Sequence, residues 1–254
     1  MSRLKRITSA TRAGWHSFLR RRTAVFFTFF FPVIIVAIFA GLVQTQPTGG
    51  GIFAEPPAYY IPGYLAVVVL FTPLSRVGSE IARHRDGNQF EKLATTPLER
   101  WEWLLAQTLV NVVVIGLAGL LLLVLTVLVT GVSIPVTPAT LLLIPFVAVG
   151  VALFCGIGAL LGNFADSQDG VVAASNAIAL PLLFLSETFV TPDLLPGWFR
   201  PAVGLSPLTY FSRGVRALTY SGETLSAVTT NLAVLCVLAL LFFAAGAATI
   251  PRTD

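Results

Sequence analysis

The chain has 254 residues, 56% hydrophobic and only 11% charged, and its mean hydropathy of +0.84 is too apolar for an ordinary soluble domain. Its formal net charge of +4 does not point to nucleic acid, because the basic residues flank apolar runs, where anionic lipid headgroups are the simpler partner.

Residues 1–22 are basic but patterned. Leu4, Ile7, Thr11, Trp15, Phe18 and Leu19 recur at helical spacing, with Lys5, Arg6, Arg12, Arg20 and Arg21 mainly off that face. The pattern predicts an amphipathic helix lying on the cytoplasmic membrane surface. The first apolar run, 24–43, contains Pro32, which bends it. It starts late and is too long for a cleavable leader. A loop with Thr48-Gly49-Gly50-Gly51 and Pro56-Pro57 follows, and Tyr59 and Tyr60 mark a membrane interface. Further runs cover 61–75, 104–130, 139–162, 171–185 and 227–250, the fifth interrupted by Pro181. A helix needs about 20 apolar residues to cross a hydrocarbon core of roughly 30 Å, so six runs use up most of the chain. Cys155 and Cys236 fall inside runs and read as small buried hydrophobes.

Of the sixteen Lys and Arg residues, seven precede the first run: Arg3, Lys5, Arg6, Arg12, Arg20, Arg21 and Arg22. Five more, Arg76, Arg83, Arg85, Lys92 and Arg100, lie between the second and third, while loops 44–57 and 131–138 have none. Basic loops stay in the cytoplasm. The expected protein is all-α and multi-pass in the cell membrane, with six transmembrane helices and both termini cytoplasmic. Segment 187–226 breaks the pattern. It lies outside yet is apolar, and Pro192, Pro196, Pro201 and Pro207 keep it from spanning. It reads as a re-entrant segment of short helices in the outer leaflet, with Arg200, Arg213 and Arg216 meeting lipid phosphates or a charged substrate.

The polar segment 76–103 carries the strongest signal. Arg83, His84, Arg85 and Asp86 make a charged end of the second helix. Gly87-Asn88 is a break that tolerates positive φ, Gln89 to Ala94 is a short helix, and Thr96-Pro97 is a stop. A rigid surface helix between two spans suits transmission of a push from a cytoplasmic partner. Arg83, Arg85, Asp86, Glu91 and Lys92 offer ion pairs, and Phe90 and Leu93 a small apolar knob.

This segment resembles the E-R-G-T-L-E-x-L-x-x-T-P-type loop of the ABC-2 family of ABC transporter permeases. Glu91, Leu93, Thr96 and Pro97 match it, Asp86 stands for the family's acid, and Asn88 takes the usual glycine place one residue after Gly87. Leu194-Leu195-Pro196-Gly197-Trp198-Phe199 and Leu205-Ser206-Pro207-Leu208-Thr209-Tyr210 are similar to the family's L-P-x-W and N-P-L-T-Y stretches, with Ser206 in place of Asn. The resemblance covers essentially the whole chain, 1–254, as one transmembrane domain. It implies the permease subunit of an ATP-driven exporter or flippase, working as two permease copies with a separate nucleotide-binding ATPase subunit. The coupling surface would then be Arg83, Arg85, Asp86, Gly87, Asn88, Phe90, Glu91, Lys92, Leu93, Thr96 and Pro97. The outer gate would be Glu187, Pro196, Trp198, Pro207 and Tyr210. A phosphate-binding P-loop needs Lys after Gly. The two lysines, Lys5 and Lys92, follow Leu4 and Glu91, so no cofactor is expected on this chain and ATP with Mg is expected on the partner.

Other chemistry is thin. His16 and His84 are the only histidines and lie in basic segments, against a His-based metal site. Gln107, Asn111, Ser175 and Asn176 read as interhelical hydrogen bonders, and Gly116, Gly119, Gly156 and Gly158 as close-packing positions. An ion-coupled secondary transporter would hold charges at mid-membrane, where the six runs have none. An intramembrane enzyme would need a cluster of acids, His or an activated nucleophile. A membrane anchoring or assembly subunit is compatible with the same composition.

Overall fold

The protein is described here by a computed structural model, covering residues 2–42, 55–135, 137–184, 186–190 and 195–251, without side chains at 40–42. The glycine-rich loop 48–51 and Leu194 lie outside the described residues. Among the described residues the regular structure is entirely helical. The elements are α1 (Arg3–Arg20), α2 (Arg22–Ile35), α3 (Ile61–Asp86), α4 (Gln89–Ala94), α5 (Arg100–Thr130), α6 (Leu143–Phe164), α7 (Gln168–Phe184), α8 (Arg200–Val203), α9 (Pro207–Arg216) and α10 (Leu225–Thr249).

Among the described residues five helical stretches are long and apolar enough to cross a membrane: Arg22–Phe39, Pro57–Asp86, Arg100–Thr130, Pro138–Phe164 and Leu225–Thr249. The fifth expected run forms α7, which has 17 residues. At 1.5 Å per residue it is about 26 Å long, slightly less than a hydrocarbon core. Pro181 does not interrupt it, and α3 likewise runs straight through Pro73. Pro32 also lies inside its helix, and α2 gives way after Ile35 to a π-helical stretch, Val36–Leu42.

The centre of the bundle is α3 against α6. In the apolar window of α3, 67% of residues are buried, against 17% around α2 at the periphery. Glycine makes this approach possible. A methyl group at Gly158 of α6 would lie 2.5 Å from the Leu74 carbonyl oxygen, one at Gly78 of α3 would meet the Gly158 oxygen at 2.8 Å, and one at Gly162 would strike the backbone of Gly78. On its other side α6 meets α10 in the same way, Gly156 against Phe242 and Gly246 against Gly156. Close backbone packing of this kind is how helices associate where no hydrophobic force separates them from lipid. Of the four glycines singled out in the sequence, Gly156 and Gly158 do this. Gly119 faces only the Leu65 side chain, and Gly116 has nothing within 4 Å of where its Cβ would be.

Two ends of the bundle differ in chemistry. At one end lie α1, the charged half of α3, α4, the start of α5 and the ends of α6 and α10. Arg100 Nη1, at the start of α5, donates to the Ala248 carbonyl (3.0 Å), which holds the end of α10 at this end. At this end α1 packs along α5. Ser2 caps it, accepting from the Lys5 N–H, and Phe18 is buried. Ile7, Thr11, Trp15 and Phe18 of the expected apolar face turn toward the protein, while Leu4 and Leu19 stay exposed. Arg6 clamps the helix by donating through Nε and Nη2 to both oxygens of Glu102, 3.0 and 2.5 Å away. Glu102 has no exposed side-chain surface. Losing either partner therefore leaves a buried charge or donor unmatched. Glu102→Gln is expected to loosen α1 while the spans stay inserted. Faster trypsin cleavage after Arg12 and Arg20 would report this; cleavage at the wild-type rate would mean the packing of Phe18 alone holds the helix.

Candidate functional site

The helix that leaves the second span does not stop at the apolar boundary. α3 continues through Arg76, Glu80, Arg83 and Arg85 to Asp86, because a helix needs only satisfied backbone groups, and basic residues suit its C-terminal dipole. The Gly87 N–H donates to the Arg83 carbonyl (3.1 Å) and the Asn88 N–H to that of Arg85 (3.0 Å). Of the Gly-Asn pair it is Asn88 that takes the left-handed conformation, φ 49° and ψ 35°, whereas Gly87 has φ −96°. Asn is the non-glycine residue best suited to this. α4 follows, and the Thr96 hydroxyl donates to the Leu93 carbonyl (2.7 Å) to close it before Pro97. The Glu99 N–H, donating to Glu102 Oε2 (2.9 Å), opens α5.

The candidate coupling residues divide into two groups. One holds the segment in place. Phe90 is 3% exposed and packs between His84 and Trp103, with ring centroids 5.5 and 5.8 Å away. It is thus an internal anchor, not the surface knob expected from sequence, and Leu93 beside it is half-buried. Arg85 donates to the carbonyls of Asn163 (3.2 Å) and Ala165 (2.6 Å), capping α6. Arg83 and Arg21 both pair with Glu80, the latter at 3.2 Å. Arg83 and Arg85 are therefore committed within the chain. The second group, Asp86, Gly87, Asn88, Glu91, Lys92, Thr96 and Pro97, is exposed. Beside it a groove of about 300 Å³ is lined by Phe90, Leu93, Thr96, Pro97, Trp103 and Ile250.

At the opposite end, Ser186, Glu187, Thr188 and Phe189 fold back into the bundle and are buried. Phe189 lies against Gly63, where a Cβ would come within 2.7 Å of its ring. Glu187 is 6% exposed and pairs with Arg213, whose Nε donates to Oε2 at 2.6 Å. That pairing holds the Arg213 guanidinium above its ordinary pKa. Arg216 lies over the Tyr59 ring, 4.0 Å from its centroid, and donates to the Glu187 carbonyl (2.7 Å). Burial pushes its pKa down. Both arginines, expected to meet headgroups, are thus engaged with the protein. A hydroxyl chain, Ser186–Thr188–Ser212, lies next to them, with Thr188 and Ser212 3.0 Å apart. Pro207 begins α9 at its first position, and Tyr210 donates to the Gly204 carbonyl (2.7 Å). Trp198 is not brought to this cluster; it is 81% exposed and meets the Phe199 ring edge-to-face, close to Pro196 in the chain.

Sequence reasoning missed the Glu187–Arg213 pair because partners 26 residues apart leave no local pattern. Glu187→Gln should lower stability by about 1–2 kcal/mol, less than breaking a fully buried pair, since Arg213 is 45% exposed. Thermal unfolding in detergent, run as a double-mutant cycle with Arg213→Gln, reads the coupling; strictly additive losses would show the pair contributes nothing. Among the polar residues inside helices, Asn111 donates to Gln107 of its own helix (2.9 Å) and not across to another. The Asn111 carbonyl oxygen and the Ser175 hydroxyl are buried without a hydrogen-bond partner. Among the described residues no three His, Cys, Asp or Glu side chains converge as metal ligands would.

Comparison with known proteins bears on what this arrangement serves. The profile of the ABC-2 type transporter family matches residues 5–220. Over 200 residues the chain is 28% identical to a daunorubicin resistance ABC transporter permease protein of Streptomyces coeruleorubidus, covering 74% of this chain. The match spans 66% of that relative's length.

Proposed function

The chain belongs to the ABC-2 type transporter family, and from that premise we propose that it is the permease subunit of an ATP-driven exporter or flippase. Its substrate is an amphipathic or lipid-linked molecule moved outward, in keeping with the drug-resistance description of its relative. It crosses the cell membrane six times, with both termini cytoplasmic. α7 supplies the short fifth crossing, since the chain enters it at the end of α6 and leaves it at the opposite end of the bundle.

The observation that carries this reading is the exposed charged face of α4. Phe90 fixes a helix of six residues between two spans, and that helix points Glu91 and Lys92 at solvent, beside the exposed Asp86 at the end of α3. A separate ATPase subunit docks there, with Asn88 setting the turn, Pro97 ending the helix, and Leu93 and Pro97 offering the apolar groove. Phe90 ties this surface to His84 of α3 and Trp103 of α5, and Arg85 ties the end of α3 to α6, so a push on α4 reaches the bundle centre. The outer segment 187–226, with Glu187, Pro196, Trp198, Pro207 and Tyr210, closes the exit. Two copies of the chain flank the pathway, because one copy encloses little polar lining, and a symmetric pair is the simplest closed assembly.

The test uses tagged protein purified from native membranes after crosslinking, with a photoreactive ATP analogue present. The expected result is a complex with two copies of this chain and a distinct polypeptide that carries the label. Label on this chain, or a transporting complex with no ATPase, would overturn the reading.

A further inference from the structure

We propose that the cavity between α1, α3 and α5 is a binding site for a phosphate-bearing anion, with Arg76 as its principal contact. A narrow cavity of about 70 Å³ beside Arg76 is lined by Gly14, Ser17, Phe18, Arg21, Glu80 and Gln107. It adjoins a wider one of about 510 Å³, sharing Gly14, Ser17, Arg21, Glu80 and Gln107 with it and reaching Arg83, His84 and Gln89.

The charges around this space do not balance. Arg21, Arg76 and Arg83 face one carboxylate, Glu80, and the other facing groups, His84, Gln89, Gln107 and Ser17, bring no negative charge. Glu80 is already taken. Arg21 reaches Oε2 at 3.2 Å, Arg83 holds Oε1, and His84 Nδ1 is 3.6 Å from Oε1. Arg76 is left over. Its guanidinium covers the Phe18 ring, 4.4 Å from the centroid, which uses one flat face. Its Nη1 is buried and has no hydrogen-bond partner. A buried, unmatched donor on a permanent cation is unfavourable. A water molecule would accept the hydrogen bond but leave the excess positive charge uncompensated. An anion satisfies both.

The chemistry of the donors selects the kind of anion. The free edge of a guanidinium offers a fork matched to a phosphate or carboxylate. Arg21 at the mouth adds a second cation suited to a doubly charged or bridging oxygen set. The small residues Gly14, Ser17 and Ala24 leave room for a tetrahedral group. The cavity lies where the basic N-terminal helix meets the charged end of a membrane span, so the phosphate can come from an anionic lipid headgroup or from free phosphate in solution.

The test uses the full chain purified in detergent micelles doped with equimolar phosphatidylglycerol and phosphatidylcholine, with retained lipid measured by native mass spectrometry. The wild type is expected to retain phosphatidylglycerol about tenfold over phosphatidylcholine. Arg76→Gln and Arg21→Gln should each bring that ratio close to one, and Arg76→Lys should keep part of it. Arg12→Gln removes the same charge from an exposed position on α1 and should leave the ratio unchanged. Should Arg76→Gln not fold, Arg21→Gln at the mouth carries the test. Millimolar inorganic phosphate that strips the lipid from wild type assigns the site to soluble phosphate; lipid that survives it assigns the site to the headgroup. No selectivity in the wild type, or equal loss in Arg12→Gln and Arg21→Gln, would overturn the proposal.

Discussion

Gly158→Val is expected to remove most correctly folded protein from the membrane, whereas Gly116→Val, the same substitution in another apolar helix, leaves it near the wild-type level. The difference is geometric. A Cβ at position 158 would sit 2.5 Å from the Leu74 carbonyl oxygen and 3.2 Å from its Cα, and neither atom is a side chain that can rotate away. The helices must separate, and Gly162 and Gly78 one turn along lose their contact together. Overpacking a well-fitted core costs about 1–3 kcal/mol and occasionally more. Here α6 is also the hub that holds α10 through Gly156 and Gly246. A displaced α6 disturbs both interfaces, so the expected loss is at or above the upper end of that range, against a total stability of about 5–15 kcal/mol. Size-exclusion profiles of a fluorescent fusion, with Gly158→Ala as an intermediate case, make the measurement. Equal profiles for the valine variants at 158 and 116 would show that the crossing tolerates expansion.

That pair of glycines also marks what the sequence could and could not reveal. Hydropathy located the spans well where helix and lipid contact coincide, as in the run 227–250 against α10 (Leu225–Thr249). It stopped early at 75, because hydropathy reports the apolar solvent and not the helix, whose charged continuation to Asp86 is satisfied by Glu80, Arg83 and the backbone of α6. Four glycines in apolar helices looked equivalent, since composition does not say which face meets another backbone. The turn at Gly87-Asn88 was legible because positive φ restricts residue type, even though it was Asn88 that took it. Phe90 was misjudged for the opposite reason. An aromatic residue in a charged segment reads as exposed until His84 and Trp103 are known to converge on it, one from each flanking helix. Likewise Arg213 and Arg216 looked available for lipid, because nothing local announces Glu187 or the Tyr59 ring.

Reversing the charge at Glu91 is expected to abolish most ATP-dependent transport without changing how much folded protein reaches the membrane. The structure separates this residue from its neighbour. Phe90 is buried between two aromatic rings, and its truncation to alanine should cost about 3–5 kcal/mol of stability, lowering transport and protein level together. Glu91 is exposed on the same short helix, in its first turn, where it also favours the helix dipole. Replacing it by lysine therefore removes only a few tenths of a kcal/mol from the fold, up to about 1. At a docking surface the same change turns an attractive contact into a repulsive one, a difference of several kcal/mol for charges desolvated together. Thermal unfolding and membrane level should thus match the wild type in Glu91→Lys, while co-purification of the ATPase and substrate transport fall sharply. The residual association should grow as salt is raised, since screening weakens the new repulsion. Wild-type transport and co-purification in Glu91→Lys, at wild-type protein level, would mean that the exposed face of α4 is ordinary solvated surface and that the ATPase engages this chain elsewhere.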